Sequence, residues 1–276
     1  MKRLNVPIFG LSVALVLFSA LWVFVIAPPL LYSRAGLIGS LNYESFGKVR
    51  HELSAPMEES RLIEEHNMRV IELEGPLNTL EMSTRAIDPN SGDLQFEKTS
   101  QIRFDPTTLQ MEGSEALAFF PRYVERKDYQ VKQFSYLPDN GALFRFQGVE
   151  LIEGAEVYRF DFDEANLDWT DSFDYALEPE ATIKARDWGS LWIYPLNGIL
   201  IKHVEDWSAQ IVGGKFDGLT IDVGRMWLSP DTISKQVIIA QNDRRTHDLY
   251  EWIIPISLLL IGLIVMVMSI RRGEEI

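Results

Sequence analysis

Two long stretches without charged residues lie near the ends of this chain, and they constrain its architecture more than any other feature. The first runs from Leu4 to Ser33 and is most densely apolar from Pro7 to Ala27, and the second runs from Trp252 to Ile270. An α-helix needs about 20 apolar residues to cross the hydrocarbon core of a bilayer. The sequence therefore predicts two membrane-spanning helices with one large polar domain between them.

Basic residues flank both predicted spans on the side away from the central domain. Lys2 and Arg3 precede the first span, and Arg271 and Arg272 follow the second. Because basic flanks favour the cytoplasmic side, we expect a two-pass plasma-membrane protein with both termini in the cytoplasm. The predicted order is residues 1–6 in the cytoplasm, 7–27 as the first helix, 28–248 as an extracytoplasmic β-rich domain, 249–270 as the second helix and 271–276 in the cytoplasm.

The first apolar stretch can also be interpreted as a cleaved signal peptide, because Met1 is followed by two basic residues. Two observations favour an uncleaved anchor instead. The apolar run is longer than the core of a typical signal peptide. The small-residue site that ends at Ala27 is followed by Pro28 and Pro29, which obstruct cleavage. After cleavage, the second helix alone would hold the domain at the membrane.

The chain is strongly acidic and contains no cysteine. It has 26 basic and 40 acidic residues, which gives a net charge of −14. A surface of that sign repels nucleic acid, so we expect no nucleic-acid partner. The charge either keeps the domain soluble or attracts cations and basic partners. Without cysteine, disulfides and thiol catalysis are excluded, so the domain must be stabilised by its own core.

Alternating apolar and polar residues predict strands in the central domain. Gly141–Ile152 and Ala155–Phe162 flank a Glu-Gly turn and predict a hairpin. Ser190–Tyr194 and Ile199–Trp207 predict a second hairpin. Because consecutive hairpins favour pairing between sequence neighbours, we expect a mainly β fold with two transmembrane α-helices, in which the ectodomain is a curved antiparallel sheet or half-barrel. Further strands are predicted at Met68–Glu74, Thr79–Ile87, Asp93–Phe104 and Leu219–Leu228.

Two segments of the central domain carry helix signals. Ser114–Phe120 predicts a short helix. A stronger candidate begins at Ser229, an N-cap residue followed by Pro230 at the first helical position. This second helix either runs through Leu249 into the second span, or ends before a flexible stalk at residues 242–248. Its predicted apolar stripe comprises Ile233, Val237 and Ala240.

The sequence contains no strong catalytic motif, so we expect a protein that is not an enzyme and that uses no cofactor. Acidic residues are dense between positions 161 and 180, and oxygen ligands at such density can bind calcium. Asp161, Asp163 and Asp168 are the candidate metal ligands. The EF-hand pattern is missing, and the alternative is a solvated loop whose interleaved aromatic residues either anchor it or offer a contact surface.

The order of features along the chain resembles that of a known family. The Lys-Arg start and long first span are followed by Ile102–Thr108, by Gly141–Phe162, by Ser190–Glu205 and by a Trp-Ile-Ile-Pro start to the second span. This order resembles the PorA-like porin family, a cell-envelope domain family of poorly known function. The family name implies a channel, whereas a spanning barrel needs strands that alternate lipid-facing and lumen-facing residues. No site residue is carried over, because the shared motifs are strands and turns.

A second resemblance covers the segment from Gly141 to Trp207. It carries a Gly-x-x-Val-Tyr-Arg-Phe strand followed by Leu-Trp-Ile-x-Pro-x-x-Gly-x-x-x-Lys, and is similar to the half-barrels of LolA-type lipoprotein carriers. That similarity implies a curved sheet whose concave face holds an acyl chain or a partner, and the alternative is that the aromatic rings fill an ordinary core. The candidate ligand-binding residues are Phe144, Phe146, Tyr158, Phe160, Trp192 and Tyr194.

Composition, pattern and resemblance together predict a double-anchored membrane protein. We expect its outer domain to act as a cell-envelope interaction or structural module that binds a lipid or another hydrophobic ligand. The expected partners are the membrane itself and other membrane or envelope proteins. The alternative function is that of a component of a porin-like channel.

Overall fold

The structure, a computed structural model, describes residues 6–27, 39–72, 77–132, 134, 137–138 and 140–272. The chain divides into two compact units, Gly36–Ala240 and a unit formed by both chain ends, Met1–Ala35 with Gln241–Ile276. The basic residues Lys2 and Arg3, the prolines Pro28 and Pro29, and the predicted strand end at 73–74 lie outside the described residues.

The larger unit is built on one ten-stranded sheet in which neighbouring strands are antiparallel. This confirms the predicted mainly β fold. The strands are β1 Gly39–Val49, β2 Glu58–Glu72, β3 Asn78–Ile87, β4 Leu94–Phe104, β5 Tyr129–Val131, β6 Ala142–Ile152, β7 Ala155–Asp168, β8 Thr182–Ile193, β9 Leu200–Val212 and β10 Thr220–Leu228.

The strand order is β4-β3-β2-β1-β10-β9-β8-β7-β6-β5. Strands that follow one another in sequence pair within two meanders, as predicted. The meanders are joined by β1 and β10, where Tyr43 lies opposite Leu228. The consecutive strands β4 and β5 therefore occupy the two edges of the sheet, and the connection 105–128 runs between these edges.

That connection forms backbone bridges with both edge strands. Met111 bridges to Phe104 at the end of β4, and Leu117 bridges to Val131 of β5. Because the same short segment reaches both edges, the sheet curls around it into a half-barrel.

The prediction of a short helix within this connection is wrong. Residues 114–120 form bends and an isolated bridge. The backbone N–H of Leu117 donates to the carbonyl of Gln130, at 2.9 Å, so pairing with β5 satisfies backbone groups that a helix would satisfy internally. Strands β1 and β5 are missing from the prediction, because β1 contains the glycines Gly39 and Gly47, which weaken a strand pattern, and β5 has only three residues.

Both predicted hairpins are present. In the first, the turn residues Glu153 and Gly154 have φ angles of +46° and +80°. Positive φ at both central residues matches the right-handed twist of the strands on either side. In the second hairpin, β8 begins at Thr182 and β9 ends at Val212, so both strands are longer than predicted.

Strand alternation gives the sheet two faces. The face that we call the inner face contributes to one core, which also contains Phe119 and Phe120 of the edge-to-edge connection. Every strand supplies at least one residue to this inner core, so the sheet closes around it. One representative from each strand in order is Tyr43, Met68, Leu80, Phe104, Val131, Phe144, Phe160, Leu191, Leu200 and Leu228.

A helix covers part of the opposite, outer face. Helix α2, Pro230–Asp248, begins after Ser229, whose hydroxyl accepts a hydrogen bond from the backbone N–H of Thr232 at 3.3 Å. This is the predicted N-cap. The predicted stripe Ile233, Val237 and Ala240 packs against outer-face residues that include Val157, Trp192 and Ile201.

The unit formed by the chain ends is helical. Helix α1, Val6–Leu21, continues into a π-helical turn at Trp22–Ile26. After α2, a π-helical turn at Leu249–Ile253 leads into α3, Ile254–Arg272. The backbone is thus helical from Pro230 to Arg272, which agrees with the continuous-helix alternative rather than a flexible stalk. Two helical segments, Pro7–Ile26 and Pro230–Ser269, are long and apolar enough to cross a membrane.

Helices α1 and α3 are in contact along their length. The Ser19 hydroxyl donates to the carbonyl of Pro255 at 2.9 Å, and Gly262 lies against Ser12 and Val16. At one end of the pair, the Trp22 indole N–H donates to the carbonyl of Tyr250 at 2.9 Å. The polar groups of Ser19 and Trp22 are therefore satisfied by the partner segment, and the Ser12 hydroxyl donates to the Phe9 carbonyl of its own helix, as a bilayer requires.

Candidate ligand-binding cavity

The six aromatic residues predicted to bind ligand divide between the two faces of the sheet. Four of them, Phe144, Phe146, Tyr158 and Phe160, belong to the inner core or pack against it. Phe160 is fully buried, with ring centroids 4.9 Å from Phe120 and 5.7 Å from Phe146. These rings contact one another and the edge-to-edge connection, so they fill their end of the half-barrel.

The other two residues, Trp192 and Tyr194, lie on the outer face in the core beneath α2. The Trp192 indole N–H donates to Glu150 at 2.7 Å, and its ring lies under the ammonium group of Lys202. The structure thus does not bring all six rings together. Ligand binding at these rings stays a prediction, and their packing does not support it.

An open cavity lies farther along the inner face. Its volume is about 350 Å³, at the lower end of the range for small-molecule sites. Its walls are mostly apolar side chains and aliphatic stems. The lining residues are Ser45, Gly47, Lys48, Val49, His51, Ser60, Leu62, Glu64, His66, Thr84, Gln95, Phe96, Lys98, Trp169, Glu205, Trp207, Asp222 and Met226.

Small residues at successive inner positions explain why space remains here. Along β1 the inner positions pass from Tyr43 to Ser45 and Gly47, and Gly47 lies opposite Ser60 of β2. On the other side Gly47 pairs with Gly224 of β10. A Cβ atom on Gly224 would lie 2.4 Å from the Trp207 ring, so this glycine makes room for the indole that forms one wall.

A buried polar cluster separates the cavity from the aromatic core. His66 Nε2 lies 3.2 Å from Glu64 Oε2, and His203 Nε2 lies 3.1 Å from Glu205 Oε2. His203 Nδ1 lies 3.3 Å from the Tyr43 hydroxyl. These side chains are all buried, and two of them, Glu64 and Glu205, with His66, also line the cavity.

Burial determines the protonation of this cluster. It raises the pKa of the Tyr43 phenol well above its usual value, and the charges of Glu205 and Glu64 raise it further. Burial lowers the pKa of His203 to about 3, with a smaller contribution from His66. Burial and then the charge of Glu205 raise the pKa of Asp187 well above its usual value. Near neutral pH, the phenol therefore keeps its proton and the His203 imidazole is neutral.

A carboxylic acid also lies in the cavity wall. The Trp207 indole N–H donates to Asp222 at 3.0 Å. Burial raises the pKa of Asp222 to about 6, and this increase is opposed by the hydrogen bonds from Trp207 and from the backbone of Val223. The acidic groups of the cavity are thus each in contact with a partner inside the protein.

The two lysines of the lining differ from these acids and from each other. Lys98 lies on the inner face of β4, opposite Thr84 of β3. Lys48 lies near the end of β1 opposite Glu59 and Val223, so its side chain is on the outer face. Both lysine side chains are exposed, and among the residues that the structure describes neither has a hydrogen-bond or ion-pair partner. Lys98 therefore brings an unpaired positive charge to the opening of the cavity.

The candidate metal ligands lie in a strand and not in a loop. Asp161, Asp163 and Asp168 belong to β7, and each is paired with a basic side chain. The partners are Arg159 at 2.9 Å, Arg186 at 2.7 Å and Lys184 at 2.8 Å, respectively. Hydrogen bonds from Arg186 and Lys184 hold the pKa values of Asp163 and Asp168 below their usual range.

Within the described part of the chain, no group of three or more histidine or acidic side chains is placed to hold a metal ion. Calcium binding by the three aspartates stays a prediction without support from this arrangement. The interleaved aromatic residues anchor the segment that follows β7. Trp169, Phe173 and Tyr175 pack against a core that includes Ile183 and Ile211.

Sequence reasoning did not find the cavity. Its lining comes largely from β1 and from the part of β2 before Met68, and neither was predicted as a strand. The usable signal was the alternation of Leu41, Tyr43, Ser45, Gly47 and Val49 with residues that are polar except for Phe46. That pattern predicts a strand whose buried face narrows to small side chains, although it does not indicate what lies opposite.

Comparison with known proteins gives a family and two structural likenesses. The sequence profile described as Porin PorA matches residues 65–271. No curated protein matches the chain. Among solved structures, Rv2717c from M. tuberculosis has 9% identity and a TM-score of 0.26, over 73% of this chain and 98% of that one. LprF from Mycobacterium bovis has 10% identity and a TM-score of 0.21, over 73% of this chain and 90% of that one.

Proposed function

Because the chain belongs to the Porin PorA family, we propose that it is a membrane-anchored cell-envelope protein whose β domain binds a hydrophobic ligand. The single observation that carries this proposal is the cavity of about 350 Å³ on the inner face. A mostly apolar pocket with a few polar groups at defined positions is the common form of a small-molecule site. The domain acts by binding and not by catalysis.

The volume favours a small ligand or a single acyl chain. Protein interiors are close-packed, with few voids larger than a water molecule, so a space of this size must be maintained by the surrounding fold. Here the walls come from strands β1, β2, β3, β4, β9 and β10, which are paired along most of their length. Since the walls are held by the sheet itself, the cavity is preformed and little ordering accompanies binding.

Ligand binding in the cavity can be tested by a substitution that fills the cavity from one wall. Ser60 faces the cavity, whereas its neighbour Glu59 is exposed on the outer face of β2. Full-length Ser60→Trp and Glu59→Trp proteins, each purified in a maltoside detergent, would be incubated with oleate or with methyl oleate and measured by native mass spectrometry.

We expect wild-type protein and Glu59→Trp to carry one ligand mass, and Ser60→Trp to lose it. The two variants add the same indole to the same strand, so a general effect of tryptophan on lipid adhesion would appear in both. An adduct of equal abundance in both variants, or no adduct with either ligand in wild type, would contradict the proposal.

The arrangement in the membrane is the second part of the proposal. The two apolar helices support a membrane protein. We propose the order in which residues 1–6 and 271–276 are cytoplasmic, 7–27 and 249–270 cross the bilayer, and 28–248 are extracytoplasmic. The basic flanks of both spans support this orientation.

Absence of cysteine makes the orientation simple to test. Cysteine would be introduced at Asn90, an exposed turn residue between β3 and β4, and separately at Glu275 near the end of the chain. We expect a membrane-impermeant maleimide to label Asn90→Cys in intact cells and Glu275→Cys only after lysis. Labelling of Glu275→Cys in intact cells would overturn the orientation.

The channel that the family name suggests is not favoured by the geometry. The outer face of the half-barrel carries ion pairs, including Arg186 with Asp163 and Arg225 with Asp206. A lipid-facing barrel surface is apolar, and charges at the middle of the bilayer destabilise it. The sheet is therefore suited to water on its outer face, and the helices that can span the membrane lie in the other unit.

A further inference from the structure

We propose that the occupant of the cavity is a single-chain amphiphile with an anionic headgroup, a carboxylate or a phosphate, and that Lys98 binds this headgroup at the opening. This inference rests on the proposed function, because it specifies the ligand class of the same cavity. It does not follow from the overall charge, since a domain with this excess of acidic residues repels anions at long range.

The charged groups around the cavity differ in whether they have partners. Glu64 lies beside His66, Glu205 beside His203, and Asp222 accepts the hydrogen bond of Trp207. The acidic groups thus already have partners within the protein. In contrast, the Lys98 side chain has neither a hydrogen-bond nor an ion-pair partner among the described residues.

Lys98 differs from the basic residues that are paired on the outer face of the same sheet. There, Arg159, Arg186 and Arg225 each have a carboxylate within 3 Å. Other exposed cations in the described part of the domain also lack an ion pair, but Lys98 is the one that lies on the inner face in the cavity lining. A cation without such a partner at the opening of a mostly apolar cavity leaves that site complementary to an external anion.

The layout of the cavity orients the amphiphile. Lys98 is exposed in the first half of β4, whereas Met226 and Leu62 lie deeper on the inner face. An acyl chain can therefore extend along the apolar wall while its headgroup stays at Lys98. The buried cluster of Tyr43, His203 and Glu205 ends the cavity on the side of the aromatic core.

One acidic group at the opening opposes this arrangement. Asp222 lies opposite Val49, next to Lys48 on β1. The other charged or titratable groups of the lining are Lys98 on β4, His51 after β1, Glu64 and His66 on β2, and Glu205 on β9. Because Asp222 would repel an anionic headgroup when ionised, Asp222→Asn is expected to strengthen binding of the anion and not to weaken it.

The test compares an anionic and a neutral form of one chain. Parinaric acid and its methyl ester differ in headgroup charge alone, and Trp169 and Trp207 in the lining can transfer excitation energy to either. Full-length wild type, Lys98→Gln and Arg85→Gln would be titrated in maltoside micelles, with empty micelles as the blank. Arg85 is the matched control, because it is exposed on the outer face of the adjacent strand β3.

We expect the acid to bind wild type more tightly than the ester does. Lys98→Gln should weaken binding of the acid by roughly fivefold. Arg85→Gln should leave both affinities unchanged. Added salt should weaken binding of the acid and leave binding of the ester unchanged, because screening acts on exposed charges.

Competition then identifies the headgroup. Displacement of the probe by stearate supports a carboxylate ligand, and displacement by lysophosphatidate at lower concentration supports a phosphate ligand. Equal displacement by a neutral monoacylglycerol would contradict the anionic headgroup. It would also be contradicted if the acid and the ester bound with the same affinity, both in wild type and in Lys98→Gln. If neither the acid nor the ester binds wild type, the hydrophobic-ligand function itself fails, and this result is distinct from loss of charge selectivity.

Discussion

The two ends of the inner face contain the same sheet but are occupied differently. At one end, Phe144 and Phe160 are covered by rings from the edge-to-edge connection, including Phe119 and Phe120. At the other, the inner positions hold Ser45, Gly47 and Ser60, and a cavity of about 350 Å³ remains. The comparison shows that a curled sheet creates interior space along its whole length, and that the irregular segment determines which part of this space stays open.

The polar cluster marks the boundary between these ends. Tyr43 belongs to the inner core through its ring and contacts His203 through its hydroxyl. His203 also stacks on Phe134, with ring centroids 4.7 Å apart. Buried polar groups are costly unless they are paired, so this boundary is specified by hydrogen bonds as well as by packing.

The largest expected difference between the two ends is in stability. Phe160→Ala should destabilise the protein by about 3–5 kcal/mol, because it removes a fully buried ring from the packed end and leaves a void. Thermal unfolding of the full-length protein, followed by near-ultraviolet circular dichroism, would measure this loss. A change of less than about 1 kcal/mol would contradict the assignment of this end as a close-packed core.

A second prediction concerns Asp222 in the cavity wall. Since burial raises its pKa to about 6, the folded state holds this proton more strongly than the unfolded state does. Its contribution to stability is therefore full below its unfolded pKa and is lost as the pH rises through about 6. The loss is on the order of 3 kcal/mol for a shift of this size.

Asp222→Asn should remove this dependence. Relative to wild type, the variant should gain stability between about pH 4 and pH 6, as measured by denaturant unfolding at a series of pH values. Glu97→Gln, which removes an exposed carboxylate from β4, is the control. Parallel pH curves for wild type and Asp222→Asn would show that the wall is more solvated than the structure indicates.

At the open end, truncation should be tolerated. Leu62→Ala should cost about 1 kcal/mol or less, because this half-buried side chain borders a cavity that already exists and its removal exposes little new surface. The same unfolding measurement applies as for Phe160→Ala. A loss as large as at Phe160 would remove the distinction between a filled end and an open end.

The smallest expected effect concerns calcium and the outer face. A bound ion stabilises the folded state in proportion to its occupancy, whereas the ion pairs of Asp161, Asp163 and Asp168 already use these carboxylates. We expect millimolar calcium to leave the melting temperature unchanged in wild type. An increase that disappears when the three aspartates are replaced by asparagine would establish the cation site that the sequence alone predicted.

Local patterns in the sequence were sufficient for several parts of the architecture. The two apolar segments identify the helices, and the Glu-Gly turn with alternating neighbours identifies the hairpin of β6 and β7. The N-cap at Ser229 and the stripe of Ile233, Val237 and Ala240 identify the buried face of α2. Each of these features depends on residues within one turn, one strand or one helix, where side-chain periodicity is determined by backbone geometry.

The filling of the half-barrel depends on contacts between distant segments. Alternation places Phe160 on one face of β7, and it also places Ser60 on one face of β2, but it does not indicate what covers either face. The six aromatic residues chosen from the sequence were candidates because they are large and apolar. In a folded protein such residues are usually covered by another segment, since burying them lowers the free energy of the folded state. The open cavity is instead bordered by small residues.

Composition and short-range periodicity were enough to predict two apolar helices, an acidic domain without disulfides and a mainly β architecture. They did not predict that β1 pairs with β10, that Trp192 and Tyr194 lie beneath α2, or that the space beside Ser60 stays open. These outcomes depend on long-range pairing and on the path of residues 105–128, whose irregular backbone is stabilised by both edges of the sheet.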